Sequence, residues 1–549
     1  TAVGTQEGNI TVDADLAWSS NSVLTLQADK DIILNKKITA MNGGLTVNAA
    51  NNISANDAIN VGTFILTKGN WLQNAPLLPS FYAKDFRLNG GSFIRALGGD
   101  GSVATPWKLT DIYGVQGMGT KLSGNFALAT DIDASGTVNW NSGAGFKPIG
   151  SSESLPFNGV FDGLNHNIKS LVINRPTEEY VGFFGAAIGT PQLKNFGIID
   201  GYIRGGGTHV GSIVGGLRGK ITNVFSSSKV YGIDFVGGLI GGSSGTLENS
   251  YFVGEVTGTT GNLGVLVGAN GGGVIINSYS TGLVNGSGGG LTGLQNLGTV
   301  TNSFWNKETS GKLTSGNGTG LTTAQMFDKN YFTGFDFNTV WGNGNNQTTP
   351  YLLNMINNQV FNKNDLPTGT ITSTNRPALY TAILNVNQLQ NMNQNLSGKY
   401  LLGNNIDASD TVNWNSGAGF NPIGRSSAFS GVLDGLNHTV NGLTINWPSQ
   451  YSVGLFSYTN GANIKNIGLV GGTIRGSSSV GSLVGQNVGS YIDHAYSTAT
   501  VIGQDWVGGL IGSSHNGSQI SNSYTTGEVQ GSGIKIGGLA GYNGSGSLL

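Results

Sequence analysis

The chain is 549 residues long, with 92 glycines, no cysteine, only 10% charged residues and a net charge of −2. That length exceeds one ordinary domain, the missing basic block excludes the electrostatic footprint of a nucleic-acid binder, and the missing cysteines exclude disulfide staples. Hydrophobic residues at 38% permit a core, which argues against wholesale disorder; the lack of a Gly-X-Y period excludes collagen, and no apolar run approaches the roughly 18 residues of a spanning helix.

The first element, residues 1–70, repeats. Leu24-Thr25-Leu26-Gln27-Ala28 returns as Leu45-Thr46-Val47-Asn48-Ala49, and Ile32 is matched by Ile53. Apolar and polar residues alternate, as in a strand. Asp29, Asp31, Asn42, Asn51 and Asn52 fill the breaks, where turn residues belong. Short strands at a fixed step with polar corners predict coils of a β-solenoid, each paired to the coil before it about 4.8 Å away. Residues 71–113 lose the step and collect Trp71, Phe81, Tyr82, Phe86, Phe93, Trp107 and Tyr113, so an aromatic-rich excursion is expected there.

A second pattern fills 114–304. Val210-Gly211-Ser212-Ile213-Val214-Gly215 returns as Val236-Gly237-Gly238-Leu239-Ile240-Gly241 and as Leu263-Gly264-Val265-Leu266-Val267-Gly268. Between these copies lie Asn223-Val224-Phe225-Ser226, Asn249-Ser250-Tyr251-Phe252 and Asn277-Ser278-Tyr279-Ser280. Each unit therefore supplies a strand with a glycine corner and a strand led by asparagine and an aromatic. The recurring aromatics are expected to stack as an internal ladder. The whole cassette is duplicated in 388–549: Thr137 through Phe146 reappear as Thr411 through Phe420, and Phe161-Asp162-Gly163-Leu164-Asn165-His166 matches Leu433-Asp434-Gly435-Leu436-Asn437-His438. Between the copies, 305–387 is expected to form a connecting segment with protruding loops, and Thr322 through Phe327 to start a short helix. The fold class is thus all-β, a right-handed parallel β-helix with extra-helical loops. Thr1 opens in strand-like sequence without a signal peptide and Leu549 stops inside a repeat, so a longer, processed protein is expected.

Equivalent coils offer equivalent surfaces, so a distinctive binding site should use whatever breaks the repeat. The candidates are Trp305, Tyr331, Phe332, Trp341, Asn343, Asn345 and Tyr351, with Phe81, Tyr82 and Trp107 second; aromatics are favoured interface anchors, and the same residues could equally cover the side of the helix. Asp131, Asp133 and Asp162 could form a carboxylate set for glycan cleavage, but Asp131 is Asn405 in the second copy, which favours a cap and a tight turn. His166 and His438 are equivalent and sit beside that turn, while His209, His494 and His515 have no counterparts and no metal-ligand spacing. Gly271-Gly272-Gly273 lacks the lysine and helix of a phosphate loop. No catalytic residue, metal or cofactor is expected.

The paired cores Val236-Gly237-Gly238-Leu239-Ile240-Gly241 and Asn277-Ser278-Tyr279-Ser280-Thr281-Gly282, the latter again as Asn522 through Gly527, resemble the GLUG repeat family. The segment from Trp305-Asn306-Lys307 to Trp341 looks like the tail that closes such arrays. Gly8-Asn9-Ile10-Thr11-Val12 and Trp18-Ser19-Ser20-Asn21 are similar to filamentous-haemagglutinin-like exoproteins of two-partner secretion. That resemblance implies a β-helix exported through an outer-membrane transporter barrel to the bacterial surface or medium. A haemagglutinin-type stretch followed by two cassettes resembles the haemopexin-binding exoproteins, which implies capture of host haemopexin to make haem available. An adhesin for cells or glycans is the alternative, and a polysaccharide-degrading β-helix enzyme the second. A monomer is expected, with no membrane span and no nucleic-acid partner.

Overall fold

The computed structural model describes residues 8–295, 297–544 and 547–548. The chain divides into two compact units: the first holds 1–326, 330–335 and 369–376, the second 327–329, 336–368 and 377–549. Both consist of parallel strands stacked coil on coil, so the expected all-β parallel β-helix is what forms.

In the first unit the opening coils pair Leu24 with Leu45 and Ile32 with Ile53, the step read from the sequence. The pairing does not stop at residue 70. Strand Ile59–Asn74 runs through that boundary, and Phe81–Leu88 and Ser92–Ala96 add to it in parallel, with Ile59 opposite Phe81 and Trp71 opposite Phe93. The expected excursion at 71–113 is therefore corrected: Trp71, Phe81, Phe86 and Phe93 occupy inward positions that earlier coils give mostly to aliphatics, while Tyr82 alternates outward. Phe64 lies 5.5 Å from Phe86 and Trp71 5.5 Å from Phe93, both stacked. Large rings mark a coil whose interior they fill, not a departure from it. The coil then turns through a helix, Ile112–Gly117, whose first turn is capped by the Asp111 side chain accepting from Gly114 N. The second unit repeats this as Val386–Asn391 with Asn385 accepting from Gln388 N. The cassette copies thus begin at Asp111 and Asn385, slightly before the boundaries read from the repeats. The helix expected at 322–327 is a single 3₁₀ turn, Gln325–Phe327.

Within the cassette each coil contributes strands to parallel sheets in fixed register. One column runs Ile173, Ile203, Val230, Val256, Val284, and another Phe184, Val214, Ile240, Val267. All these side chains point into the lumen and are buried, each contributing roughly 1.5–3 kcal/mol of transfer free energy. At the Asn positions the backbone is left-handed, with φ of 57°, 55°, 47°, 47° and 46° at Asn195, Asn223, Asn249, Asn277 and Asn302. Asparagine adopts that region more readily than other non-glycine residues, which explains its recurrence ahead of each aromatic.

The aromatics do stack: Phe225, Tyr251 and Tyr279 lie 5.1 and 5.2 Å apart with ring planes 6° and 9° from parallel. They are not internal, which corrects the expected position. The neighbouring Val224 and Phe252 join the luminal cluster, and strand alternation sends the ladder to the outer face. There Phe332 and Phe335 cover its end, with Phe332 5.8 Å from Tyr279 and 5.2 Å from Phe304.

The second unit has the same plan. Val480, Val507 and Ile536 stand in one register, and Val484, Ile511 and Ala540 in another. Its core is a separate cluster of the same residue types.

Candidate binding surfaces

The segment 305–387 does not project as one arm: its residues are shared between the two units, and most of its candidate anchors are buried. Trp305 joins the core of the first unit and donates its indole N–H to Lys312 O at 3.1 Å. Phe332 lies against the ladder. In the second unit Trp341 is fully buried in a short antiparallel pair with Leu352. Tyr351 donates its hydroxyl to Gly403 O at 2.9 Å, and burial pushes that hydroxyl up to about 12. Asn343 is buried and donates to Asn346 Oδ1 at 2.6 Å. Asn345, with φ of 54°, is exposed at the apex of a compact 3₁₀ turn. Of the secondary set, Phe81 is core, Trp107 is half-buried against Phe126, and Tyr82 is exposed. Of these candidates Tyr331, Asn345 and Tyr82 are the exposed ones. The aromatic content of these segments reflects packing, because rings at strand and turn positions fill lumen and cover ladder.

The carboxylates are engaged in structure. Asp133 Oδ1 accepts from Ser135 N, and Asp162 Oδ1 from Leu164 N and Asn195 Nδ2. Asp131 accepts from Asn167 N at 3.0 Å and pairs with Lys169 at 2.9 Å. Burial works against its charge, but His166 and Lys169 outweigh burial and hold its carboxyl below the ordinary range. In the second copy Asn405 accepts the equivalent bond from Thr439 N. An oxygen acceptor at that turn is what both copies need, which is why Asp and Asn interchange. Among the described residues no group of three or more histidine and carboxylate side chains is placed to hold a metal ion.

A different set of residues comes together at the corner before each Val-Gly step. Tyr180, His209 and Phe235 precede Val181-Gly182, Val210-Gly211 and Val236-Gly237, and all three are left-handed, with φ of 54°, 65° and 48°. Bulky residues there are uncommon and strained. Their carbonyl ends press on the closing glycine of the repeat: a Cβ on Gly215 would lie 2.7 Å from Tyr180 C, and one on Gly241 2.6 Å from Gly215 O and nearer still to Val210 N. The motif's last glycine is thus the seat for the preceding coil's corner. The rings form a short external stack, Tyr180 on His209 at 4.6 Å and 13°, and Phe235 edge-on at 5.1 Å. They flank a cavity of about 190 Å³ rimmed by Glu153 and Arg218, themselves paired at 2.8 Å. Burial lowers the His209 pKa, so its imidazole is neutral near pH 7 and available for stacking and hydrogen bonding.

The same corners in the second unit are Ser452, Ser479, Trp506 and Lys535, again left-handed. There Trp506 stacks on Tyr542 at 5.2 Å, and the Lys535 ammonium lies 4.1 Å from the Tyr542 ring centre. One backbone position is thus fixed while its side chain differs from coil to coil. Sequence reasoning passed over these residues because they sit one position outside the recurring motif; the signal that finds them is variability immediately before Val-Gly.

No family model matches the chain, so the GLUG-like pattern rests on the repeated residues themselves. Over 238 residues, 41% of the chain, it is 30% identical to Halomucin of Haloquadratum walsbyi. Over 102 residues, 16% of the chain, it is 41% identical to a "Putative Gly-rich membrane protein" of Evansella cellulosilytica. The chain spans only 3% and 12% of the length of these curated relatives. A crystal structure from Bacteroides ovatus described as a "putative immunoglobulin A1 protease" aligns with a TM-score of 0.35 at 18% identity, covering 47% of this chain and 95% of that one. At that score the likeness carries no argument about chemistry. No helix among the described residues is long and apolar enough to cross a membrane.

Proposed function

We propose that the chain is a secreted, surface-displayed protein that binds an extracellular partner and performs no covalent chemistry. The observation that carries this reading is the corner column: a fixed left-handed position whose side chain changes from Tyr180, His209 and Phe235 to Ser452, Ser479 and Trp506. A repeated scaffold with a variable, outward-facing residue at several successive coils suits recognition, since rigid aromatic rings supply contact area at low entropic cost. The cavity at Tyr180, His209 and Arg218 is the first contact site. A polysaccharide-degrading activity has less support, because Asp131, Asp133 and Asp162 are all engaged in turns or ion pairs.

Host haemopexin is the partner to try first, on the resemblance to haemopexin-binding exoproteins, with export through a partner outer-membrane barrel. Binding alone then frees haem by favouring the partner's haem-free state, within the limit set by its differential affinity for the two states. An adhesin would use the same surface for another ligand. The name of the Evansella relative, which refers to a membrane, agrees with display at the cell surface.

The test replaces Tyr180 and His209 by serine, the residue found at Ser452 and Ser479 in the same backbone conformation. Capture of haemopexin, and of other serum proteins, is measured beside the urea midpoint. The expected result is a loss of affinity of about tenfold or more with folding retained. Undiminished capture would place the contact elsewhere, and no capture by the parent chain would refute a host-protein partner.

A further inference from the structure

The helix that opens each cassette presents the same face in both copies, and the two finish that face differently. In the first unit it receives the preceding coil. A Cβ on Gly114 would lie 2.5 Å from Arg95 O and one on Gly117 2.3 Å from Phe93 O, while Thr120 Oγ1 accepts from Phe93 N at 3.0 Å. Beside this face Trp140 is fully buried, 5.2 Å from the Tyr113 ring and 5.0 Å from Phe86. In the second cassette the residues at these positions are Gln388, Asn391 and Gln394, with Asn387 in place of Tyr113. Two glycines, a threonine and a tyrosine have become amides. A strand as near to Asn391 as Phe93 is to Gly117 has no room for the side chain.

Trp414, the counterpart of Trp140, is half-buried there. Its ring stacks on Phe420 at 6.3 Å and 19°, and its indole N–H donates to Asp410 Oδ2 at 3.4 Å. With Gln390, Asn391, Asn393, Gln394, Asn415 and Asn421 it lines an open groove of about 540 Å³, a size usual for small-molecule sites. The equivalent space in the first cassette lies against Phe86 and Leu88 and measures about 150 Å³. The floor of the larger groove is held in place. The Gln390 side chain donates to Asn421 O at 2.8 Å and accepts from Asn421 N at 2.9 Å, Asn393 Oδ1 accepts from Gly424 N at 3.0 Å, and Asn415 donates to Gly419 O at 2.7 Å. The side chains of Asn391 and Gln394 are exposed. No lysine, arginine, aspartate, glutamate or histidine lines the groove among the described residues.

We propose that this groove binds a neutral oligosaccharide, with one sugar ring laid on Trp414 and its hydroxyls bonded by Asn391 and Gln394. An amide both donates and accepts, as a sugar hydroxyl does, and an indole face offers flat apolar area to the C–H side of a pyranose ring. The lining has no cation for a phosphate or a nucleic acid, and its one aromatic ring is a narrow base for a peptide, which anchors through several buried side chains. The site lies wholly in the second unit and is independent of the corner column.

The test is saturation-transfer NMR on the full chain with neutral tetrasaccharides of glucose, galactose, mannose and N-acetylglucosamine at millimolar concentration. Saturable transfer to at least one of them is expected, strongest at the C–H protons of one ring face. Two variants locate it. Trp414→Ala removes the platform. Asn391→Gly with Gln394→Thr installs the first cassette's own residues at exposed positions and so leaves the fold intact. Each should weaken binding by about tenfold or more. No saturable transfer from any of the four sugars overturns the proposal, as does binding that the Asn391→Gly, Gln394→Thr variant leaves unchanged. Tighter binding of a sulfated tetrasaccharide than of its neutral parent also overturns it, because the groove holds no cation to prefer the charge. An aromatic tetrapeptide that binds through Trp414 while no sugar does would overturn it too and make the groove a peptide site. Replacing Tyr180 and His209 by serine should leave sugar binding as in the parent, whatever happens to serum capture.

Discussion

Gly241 closes one Val-Gly-Gly-Leu-Ile-Gly repeat, and the coil geometry leaves no room for a side chain there. A Cβ would lie 2.6 Å from Gly215 O, 2.5 Å from His209 C and nearer still to Val210 N. All three are backbone atoms of the preceding coil, so no rotamer change relieves the clash; the coils must move apart. Overpacking usually costs about 1–3 kcal/mol, and a backbone-on-backbone obstruction belongs at the upper end. Stability in a stacked array is a sum of nearest-neighbour terms, and this glycine lies at one such interface. Gly241→Ala should therefore destabilise by about 3 kcal/mol, read as a shift of the urea midpoint at unchanged slope. Gly136 is the control. Nothing lies within 4 Å of a Cβ there, and the second cassette carries Asp410 at the same place. Gly136→Ala should stay within about 0.5 kcal/mol of the parent. Equal midpoints for the two variants would refute the claim that the closing glycine is a seat for the neighbouring corner.

Leu239 is fully buried, with its N–H donating to Leu266 O at 3.0 Å, so Leu239→Asp places an unpaired carboxylate in the lumen and should cost more than the 2–5 kcal/mol of a simple truncation; an unchanged melting temperature would remove Leu239 from the core. Asp493 gives an acid-limb prediction. Partial burial opposes its charge, but hydrogen bonds from Ser521 and Asn522 and the nearby His494 outweigh it and lower the carboxyl from 3.8 to about 2. A depressed folded value means stability that is complete above the ordinary value and lost as pH falls through the folded one. Unfolding of the last coils should therefore ease between pH 3.8 and about 2, and Asp493→Asn should flatten that slope in a pH series of denaturation midpoints.

The fold was legible because a solenoid writes its period into the sequence. Leu24 and Leu45, or Val210 and Val236, recur because they share one register position. Where the period is kept but the residue type changes, the eye loses it. Ile53, Trp71 and Phe93 hold one inward column, yet the switch from aliphatic to aromatic made 71–113 look like an interruption. The lumen tolerates the change because ring stacks at 5.5 Å fill the same space coil after coil. Inward and outward faces were harder to tell apart in the Asn-aromatic strands. Val224 and Phe225 are both apolar, so alternation carries no polarity signal, and the outer ladder reads as core until its cover is seen.

Functional legibility fails for a related reason. A search for what breaks the repeat finds rare residues such as Trp341 and Tyr351, and rare large residues in a glycine-rich chain are mostly those that packing demands; both are buried. The corner residues are hidden by the opposite circumstance. They recur at Tyr180, His209 and Phe235 and at Ser452, Ser479, Trp506 and Lys535, but no two need be alike, because the backbone requirement at His209 or Ser479 is a left-handed turn and not a side chain. What the fold fixes there is strain, with φ of 65° at His209 and 53° at Ser479. A glycine would satisfy that geometry at lower cost. That Tyr180, His209, Phe235 and Trp506 stand there instead means the side chain itself is used, either to cover the ribbon beneath it or to meet a partner. At the serine corners of the second cassette the glycine beneath is replaced as well: Ser452 meets Gln486 where Tyr180 lies over Gly216, and Ser479 meets Ser513 where His209 lies over Gly242, so ring and glycine exchange together, and the serine replacements, read by both the urea midpoint and capture, separate cover from contact.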